Sequence, residues 1–128
     1  MTQEDKNLLL KELCARLPYG VSVKWKTARN PATVKSVDGE KLIVYREYSD
    51  FIHTWDCHIE DIKVYLRPMS SMTEEEEKEE WELWDIVTKT RNDLHYLYTD
   101  FLLSHHLDYR GLIEKGLALE APEGMYKQ

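Results

Sequence analysis

No apolar run in this sequence is long enough to cross a membrane. The longest, Leu8–Leu10 and Leu42–Tyr45, fall far short of the ~20 residues that a spanning helix needs. Cysteine is scarce: Cys14 and Cys57 are the only two, with no Cys-x-x-Cys pair between which a structural zinc could be held. Gly-x-Ser-x-Gly, P-loop and Gly-x-Gly-x-x-Gly patterns are all missing, so acyl-transfer and phosphate-cradling chemistry have no local support. The opening residues, Met1 to Asp5, are acidic and lack the basic and apolar regions of a secretory signal. These absences predict a soluble, cytoplasmic protein with reduced thiols, no membrane partner and no cofactor.

What is present fits a single domain, or a small barrel with a helical appendage. The chain has 128 residues, 42% hydrophobic and 32% charged, with a net charge of −7; wholesale disorder is not expected at that apolar content. The charge is unevenly spread. Residues 1–68 carry 11 basic and 10 acidic side chains, net +1, whereas residues 69–128 carry 6 and 14, net −8. Most of the excess lies between Glu74 and Glu82, where seven Glu face one Lys. Overall acidity opposes non-specific nucleic-acid binding, because phosphates are repelled, but the near-neutral first part leaves a local basic patch open.

Periodicity divides the chain into three stretches. Residues 3–17 read as a helix with Leu9, Leu10, Leu13, Cys14 and Leu17 on one stripe, Thr2 as its cap and Pro18-Tyr19-Gly20 as its stop. Residues 21–65 change to period two. Val21 to Lys26 alternates, Asp38-Gly39 marks a hairpin between Thr33–Val37 and Lys41–Tyr45, a further strand is expected from Phe51 to Trp55, and Cys57 to Glu60 leading into Asp61 to Leu66 is another candidate, four or five short strands in all. Helical spacing then returns. Thr73 with Glu76 forms a capping box, with Leu83, Trp81, Trp84 and Val87 as the apolar face. A polar break at residues 88–93 precedes a helix over 92–106 with Leu94, Leu97, Phe101 and Leu102 inward; one continuous helix is the alternative, because Leu83 and Leu94, eleven residues apart, stay in phase. The Gly- and Pro-containing end reads as a turn or short helix followed by an ordered tail.

The segments Leu17-Pro-Tyr-Gly-Val21, Ile59-Glu-Asp-Ile-Lys63 through Thr73, and His105-His-Leu-Asp-Tyr-Arg-Gly-Leu-Ile113 with Gly116 to Tyr126 resemble a group of short uncharacterised proteins carried by anaerobic gut bacteria, their prophages and mobile elements. The resemblance spans nearly the whole chain. It implies a bacterial or phage origin and an intracellular setting, and it carries no site residues.

Five constellations bear on chemistry. His105-His106 with Asp108, and His95 earlier, offer a weak metal set in His105 and Asp108; adjacent helical histidines point about 100° apart, and a helix C-terminus favours His without any metal. His53, Cys57 and His58 form one cluster without a second ligand pair, and on a strand Cys57 and His58 face opposite ways. Cys57 is better read as a small buried residue than as a thiolate nucleophile, and Cys14 as structural. The Glu run reads as a solvated helix start, with an acidic imitation of nucleic-acid phosphates as the sharper alternative. In the strand region, Lys24, Lys26, Arg29, Lys35 and Lys41 make a possible basic patch, while Tyr19, Trp25, Tyr45, Tyr48 and Trp55 are candidates for an aromatic binding surface.

The reading is an α+β protein: an N-terminal helix on a small SH3-like antiparallel sheet or barrel over residues 1–68, then a C-terminal helical segment and ordered tail over 69–128, packed as one unit. No catalytic set survives comparison with its structural explanation, so a non-catalytic module binding a protein partner is expected. A nucleic-acid-binding barrel, an acidic mimic and, last, a metal-dependent enzyme are the alternatives. The oligomeric state is not encoded legibly.

Overall fold

A computed structural model describes residues 1–26, 30–89 and 95–126. Helix α1 (Gln3–Arg16) starts as expected: the Thr2 hydroxyl accepts from the Asp5 amide at 3.1 Å and the Asp5 carboxylate accepts from the Thr2 amide. A 3₁₀ turn, Leu17–Tyr19, ends it, and Gly20 takes a positive φ of 73° that a β-carbon would disfavour. Strands β1 (Ser22–Trp25), β2 (Ala32–Asp38), β3 (Lys41–Glu47), β4 (Ile52–His58) and β5 (Ile62–Leu66) follow, and then helices α2 (Glu74–Lys89) and α3 (His95–Ser104). A last short strand, β6 (Ala118–Glu120), returns to the sheet.

The sheet order is β4-β3-β2-β1-β5-β6. Asp38 pairs with Lys41 across the two-residue turn Gly39-Glu40, so the Asp-Gly hairpin forms where the residues call for it. All neighbours are antiparallel except β5 and β6, which pair in parallel from Val64–Ala118 to Leu66–Glu120. The sheet is therefore mixed, not antiparallel throughout, and it is not closed; an SH3-like barrel is not established. The expectation missed β6 because three residues, Ala-Leu-Glu, have no periodicity to read; their pairing depends on the edge that β5 offers.

One face of the sheet, with Val23, Val34, Leu42, Val44, Cys57, Ile62, Val64 and Leu66, packs under Leu9 and Leu13 of α1 and is joined by Leu112, Leu117 and Ala118. The charge boundary at Pro68 is thus crossed by the core itself. A second, smaller cluster joins Phe101, Leu102 and Leu107 with Leu83, Met69, Met72 and Tyr98. Tyr98 reaches Glu80 and Trp84, residues that one continuous helix would hold about 27 and 21 Å away at 1.5 Å per residue, so α2 and α3 lie side by side. Of the break expected at 88–93, Thr88 and Lys89 still belong to α2, while residues 90–93 and the inward Leu94 fall outside the described residues.

Both long helices are rotated away from their apolar stripes. In α1 the buried residues are Leu9, Glu12, Leu13 and Arg16, while Cys14, expected on the stripe, is exposed. In α2, Trp81 and Trp84 are exposed, and the inward positions are Glu76, Leu83 and Val87. The cause in each case is a buried charge with partners. Arg16 and Glu12 are both fully buried. Arg16 Nε donates to Glu12 Oε1 at 2.8 Å and its Nη2 to the Leu107 carbonyl at 2.6 Å, while Arg110 Nε lies 3.4 Å from Glu12 Oε2. In α2, Glu76 receives both forks of the Arg67 guanidinium, at 2.8 and 2.6 Å, and completes the expected capping box with Thr73.

Tyr126 anchors the tail to the sheet. Its hydroxyl accepts from the Ser22 amide at 3.0 Å and donates to the Tyr65 carbonyl at 2.7 Å. Its ring stacks on His106 at 3.7 Å between centroids.

Removing one member of a buried ion pair strands the other charge, at a cost of about 3–5 kcal/mol. Glu12→Leu is expected to destabilise the protein on that scale in urea unfolding, and Glu12→Leu with Arg16→Met much less than the sum of the two single changes. Acid sensitivity has two sources. Burial, then the nearby Arg16 and Arg67 charges, holds His106 down to about 4 from 6.5. The unfolded chain therefore takes up its proton first, and stability falls as pH drops from 6.5 towards 4. The Arg67 hydrogen bonds hold Glu76 at about 2 instead of 4.5, so its contribution is full above 4.5 and is lost as pH falls towards 2. Thermal melts against pH are expected to flatten between 6.5 and 4 in His106→Asn, and below 4.5 in Glu76→Gln.

Candidate binding surface on the open sheet face

Alternation places Trp25 on the same face as Val23, and Arg46 on the same face as Leu42 and Val44. Register then puts Trp55 opposite Val44 and His53 opposite Arg46. These four side chains therefore continue the core face of the sheet, at the end where it is not fully buried. Trp25 and Trp55 meet edge to face at 5.7 Å, and His53 stacks on Trp55 at 5.1 Å. The Arg46 guanidinium lies 5.5 Å from the centre of the Trp55 ring while its Nη2 donates to the Asn30 carbonyl at 2.7 Å. Tyr48 closes one side of a depression of about 510 Å³. Beside it Tyr48 and Phe51 stack at 4.8 Å across the β3–β4 turn, and Phe51 is 59% exposed.

Three of the five expected aromatic residues, Trp25, Tyr48 and Trp55, are thus brought together. Tyr19 is not: it sits beyond α1, its hydroxyl donating to Asp100 at 3.2 Å. Tyr45 is not either, because it stands next to Val44 on β3 and so points to the other face. His53 was expected in a cluster with Cys57 and His58, not among the aromatics; the register of β3 against β4 places it, opposite Arg46, on the aromatic face.

Of the five basic residues, the four described do not form one patch. Lys24 follows Val23, which pairs with Ala32 at the start of β2, whereas Lys41 pairs with Asp38 at its end, about 20 Å along the strand. Lys24, Lys26 and Lys63 share a depression with Glu60 and Asp61, so acid offsets base there. Lys26 lies over the Trp25 ring at 4.9 Å, Lys35 stands at the irregularity between Val34 and Ser36, and Arg29 falls outside the described residues. No continuous positive strip results among the described residues.

His105 and Asp108 serve the fold. His105 Nδ1 is 2.9 Å from Glu76 and its ring packs on Phe101, while the Asp108 carboxylate accepts the amides of Leu112 and Ile113 at 2.8 and 3.0 Å. No group of three or more His, Cys, Asp or Glu positioned for a metal occurs among the described residues. His58 turns away from Cys57 and its Nδ1 accepts from the Glu60 amide. Burial, with Asp61 and Asp56 nearby, pushes the Cys57 thiol up to about 11, the opposite of an activated nucleophile. No helix among the described residues is long and apolar enough to cross a membrane. No family model, curated protein or solved structure matches the chain.

The two thiols are expected to differ sharply towards a disulfide reagent at pH 8: exposed Cys14 reacts at once, and Cys57 only as fast as the protein opens. Equal rates in the native protein would contradict the buried position of Cys57.

Proposed function

We propose that the protein is a non-catalytic interaction module that captures an extended segment of a partner protein along β4. The observation that carries this reading is the coincidence of an aromatic depression with a sheet edge. Strand β4 ends the sheet order, so alternate backbone N–H and C=O groups of Ile52–His58 point away from β3. An incoming strand gains main-chain hydrogen bonds there, and pockets for alternate side chains give selectivity. Because His53 and Trp55 belong to that same strand, every second side chain of the added segment falls on the side of the Trp25–Trp55 depression.

Apolar side chains suit this site, since the tryptophan faces are only part-covered and Arg46 is already engaged with a carbonyl and a ring. The seven residues IHTWDCH hold neither proline nor lysine and one charged side chain, Asp56, at the border of the depression, and a lightly guarded edge of this kind fits a strand that is meant to be paired. The resemblance noted above makes a bacterial or phage protein the expected partner. The scattered lysines give nucleic-acid binding less support.

Selection from a library of displayed random peptides tests this. Enriched sequences are expected to be extended, with apolar residues at alternate positions. Trp55→Ala is expected to weaken a selected peptide about 30-fold, as the loss of a central aromatic contact of about 2 kcal/mol would. Failure to enrich any sequence, or equal binding by Trp55→Ala, overturns the reading.

A further inference from the structure

The rotation of α2 leaves a second aromatic surface largely open to water. Trp81 and Trp84 are 66% and 49% exposed, although tryptophan is among the costliest side chains to leave in water. Together with Glu77, Glu80 and Tyr98 they line a depression of about 310 Å³. Glu77, Trp81 and Trp84 follow at steps of four and three, so they form one row along the helix. Tyr98 comes from α3, tilts against Trp84 at 5.3 Å and donates its hydroxyl to Glu80 at 2.9 Å. That bond holds one carboxylate at the wall of the depression, next to the aromatic faces.

We infer that this depression is a second binding site, and that it takes the guanidinium or ammonium group of an arginine- or lysine-rich segment of a partner protein. Aromatic faces attract cations through the ring quadrupole, tryptophan most strongly, and a carboxylate beside the ring supplies the hydrogen-bond acceptor that a guanidinium fork needs. The charge of the surrounding helix fits the same partner. Within Glu74–Lys89 there are eight acidic and two basic residues. Of the acids, Glu76 is taken by Arg67 and Asp85 by Lys89. The other glutamates would draw in a basic segment from a distance, and the two tryptophans would decide where it stops. The site is separate from the β4 depression: it shares no residue with it, and neither reading depends on the other.

A fluorescein-labelled octapeptide with four arginines, and the same peptide with citrulline in their place, serve as probes in anisotropy titrations of the full chain at 150 mM salt. Saturable binding of the arginine peptide is expected, at least tenfold weaker for the citrulline peptide. Trp81→Ala and Trp84→Ala should each weaken it about tenfold, because a cation–π contact is lost. Glu74→Gln with Glu75→Gln removes two charges from the same helix outside the depression and should change affinity less than threefold; Trp55→Ala should leave it unaltered. No saturable binding, unchanged affinity in both tryptophan variants, a loss in the Glu74/Glu75 variant as large as theirs, or abolition by Trp55→Ala would each overturn the inference. Since Trp81 and Trp84 are exposed, the folded state of each variant is verified by an unchanged urea midpoint.

Discussion

Two guanidinium groups hold the turn from His105 to Asp108, and the arrangement of the rest depends on it. Arg16, fully buried, reaches the Leu107 carbonyl from α1. Arg67, at the end of β5, reaches the His105 carbonyl at 3.3 Å while its backbone pairs with the turn on both sides: its amide donates to the His106 carbonyl and its carbonyl accepts from the Asp108 amide, each at 2.8 Å. The turn is strained, with His106 at a φ of 59°, a region that costs a non-glycine residue of order 1 kcal/mol or more. These contacts over-determine it. From there Asp108 caps the following loop through two amides, which sends Leu112 and Leu117 into the core and β6 to the free edge of β5.

The same two arginines decide what lies on the surface. Each needs an anion, because a lone buried guanidinium would be far costlier than the pair. Glu12 and Glu76 meet that need, and both sit on helices. Turning these residues inward turns others outward: Cys14 on α1, Trp81 and Trp84 on α2. A buried ion pair contributes little net stability against a well-packed apolar alternative, so its effect here is directional. It fixes helix rotation, and through rotation it fixes which aromatic groups face water.

The sheet exposes its aromatics for a different reason. Trp25 and Trp55 occupy core-facing positions by strand parity, yet they lie where the sheet runs on past its fully buried centre and remain half-covered. An open sheet leaves such an end, where a closed barrel would fold it inward. The two depressions therefore differ in chemistry. One is a continuation of the core with Arg46 and His53 at its border, suited to apolar groups beside a free strand edge. The other is a ring of tryptophan, tyrosine and glutamate on an acidic helix, suited to cations.

Much of the local structure was written in the sequence. Thr2 with Asp5, and Thr73 with Glu76, are neighbours that cap their own helices, and the Asp38-Gly39 turn needs only the residues beside it. The alternation around Val23, Leu42 and Val44 likewise fixes which face is buried wherever the strand lies. What the sequence could not settle were relations between distant segments. Periodicity counts apolar residues, so it set Cys14, Trp81 and Trp84 inward and did not mark Glu12, Arg16 or Glu76 for burial. These three charged residues are buried because Arg16, paired with Glu12 one turn away, also reaches the Leu107 carbonyl 91 residues on, and because Arg67 finds Glu76 nine residues away; the apolar period encodes none of these contacts. The parallel β6, the meeting of Trp25 with Trp55, and the placing of Tyr98 beside Trp84 belong to the same class. Hydrogen-bonded caps and turns are short-range and readable from composition; the rotation of a helix and the company of a surface tryptophan are fixed only when buried charge has to be matched across the fold.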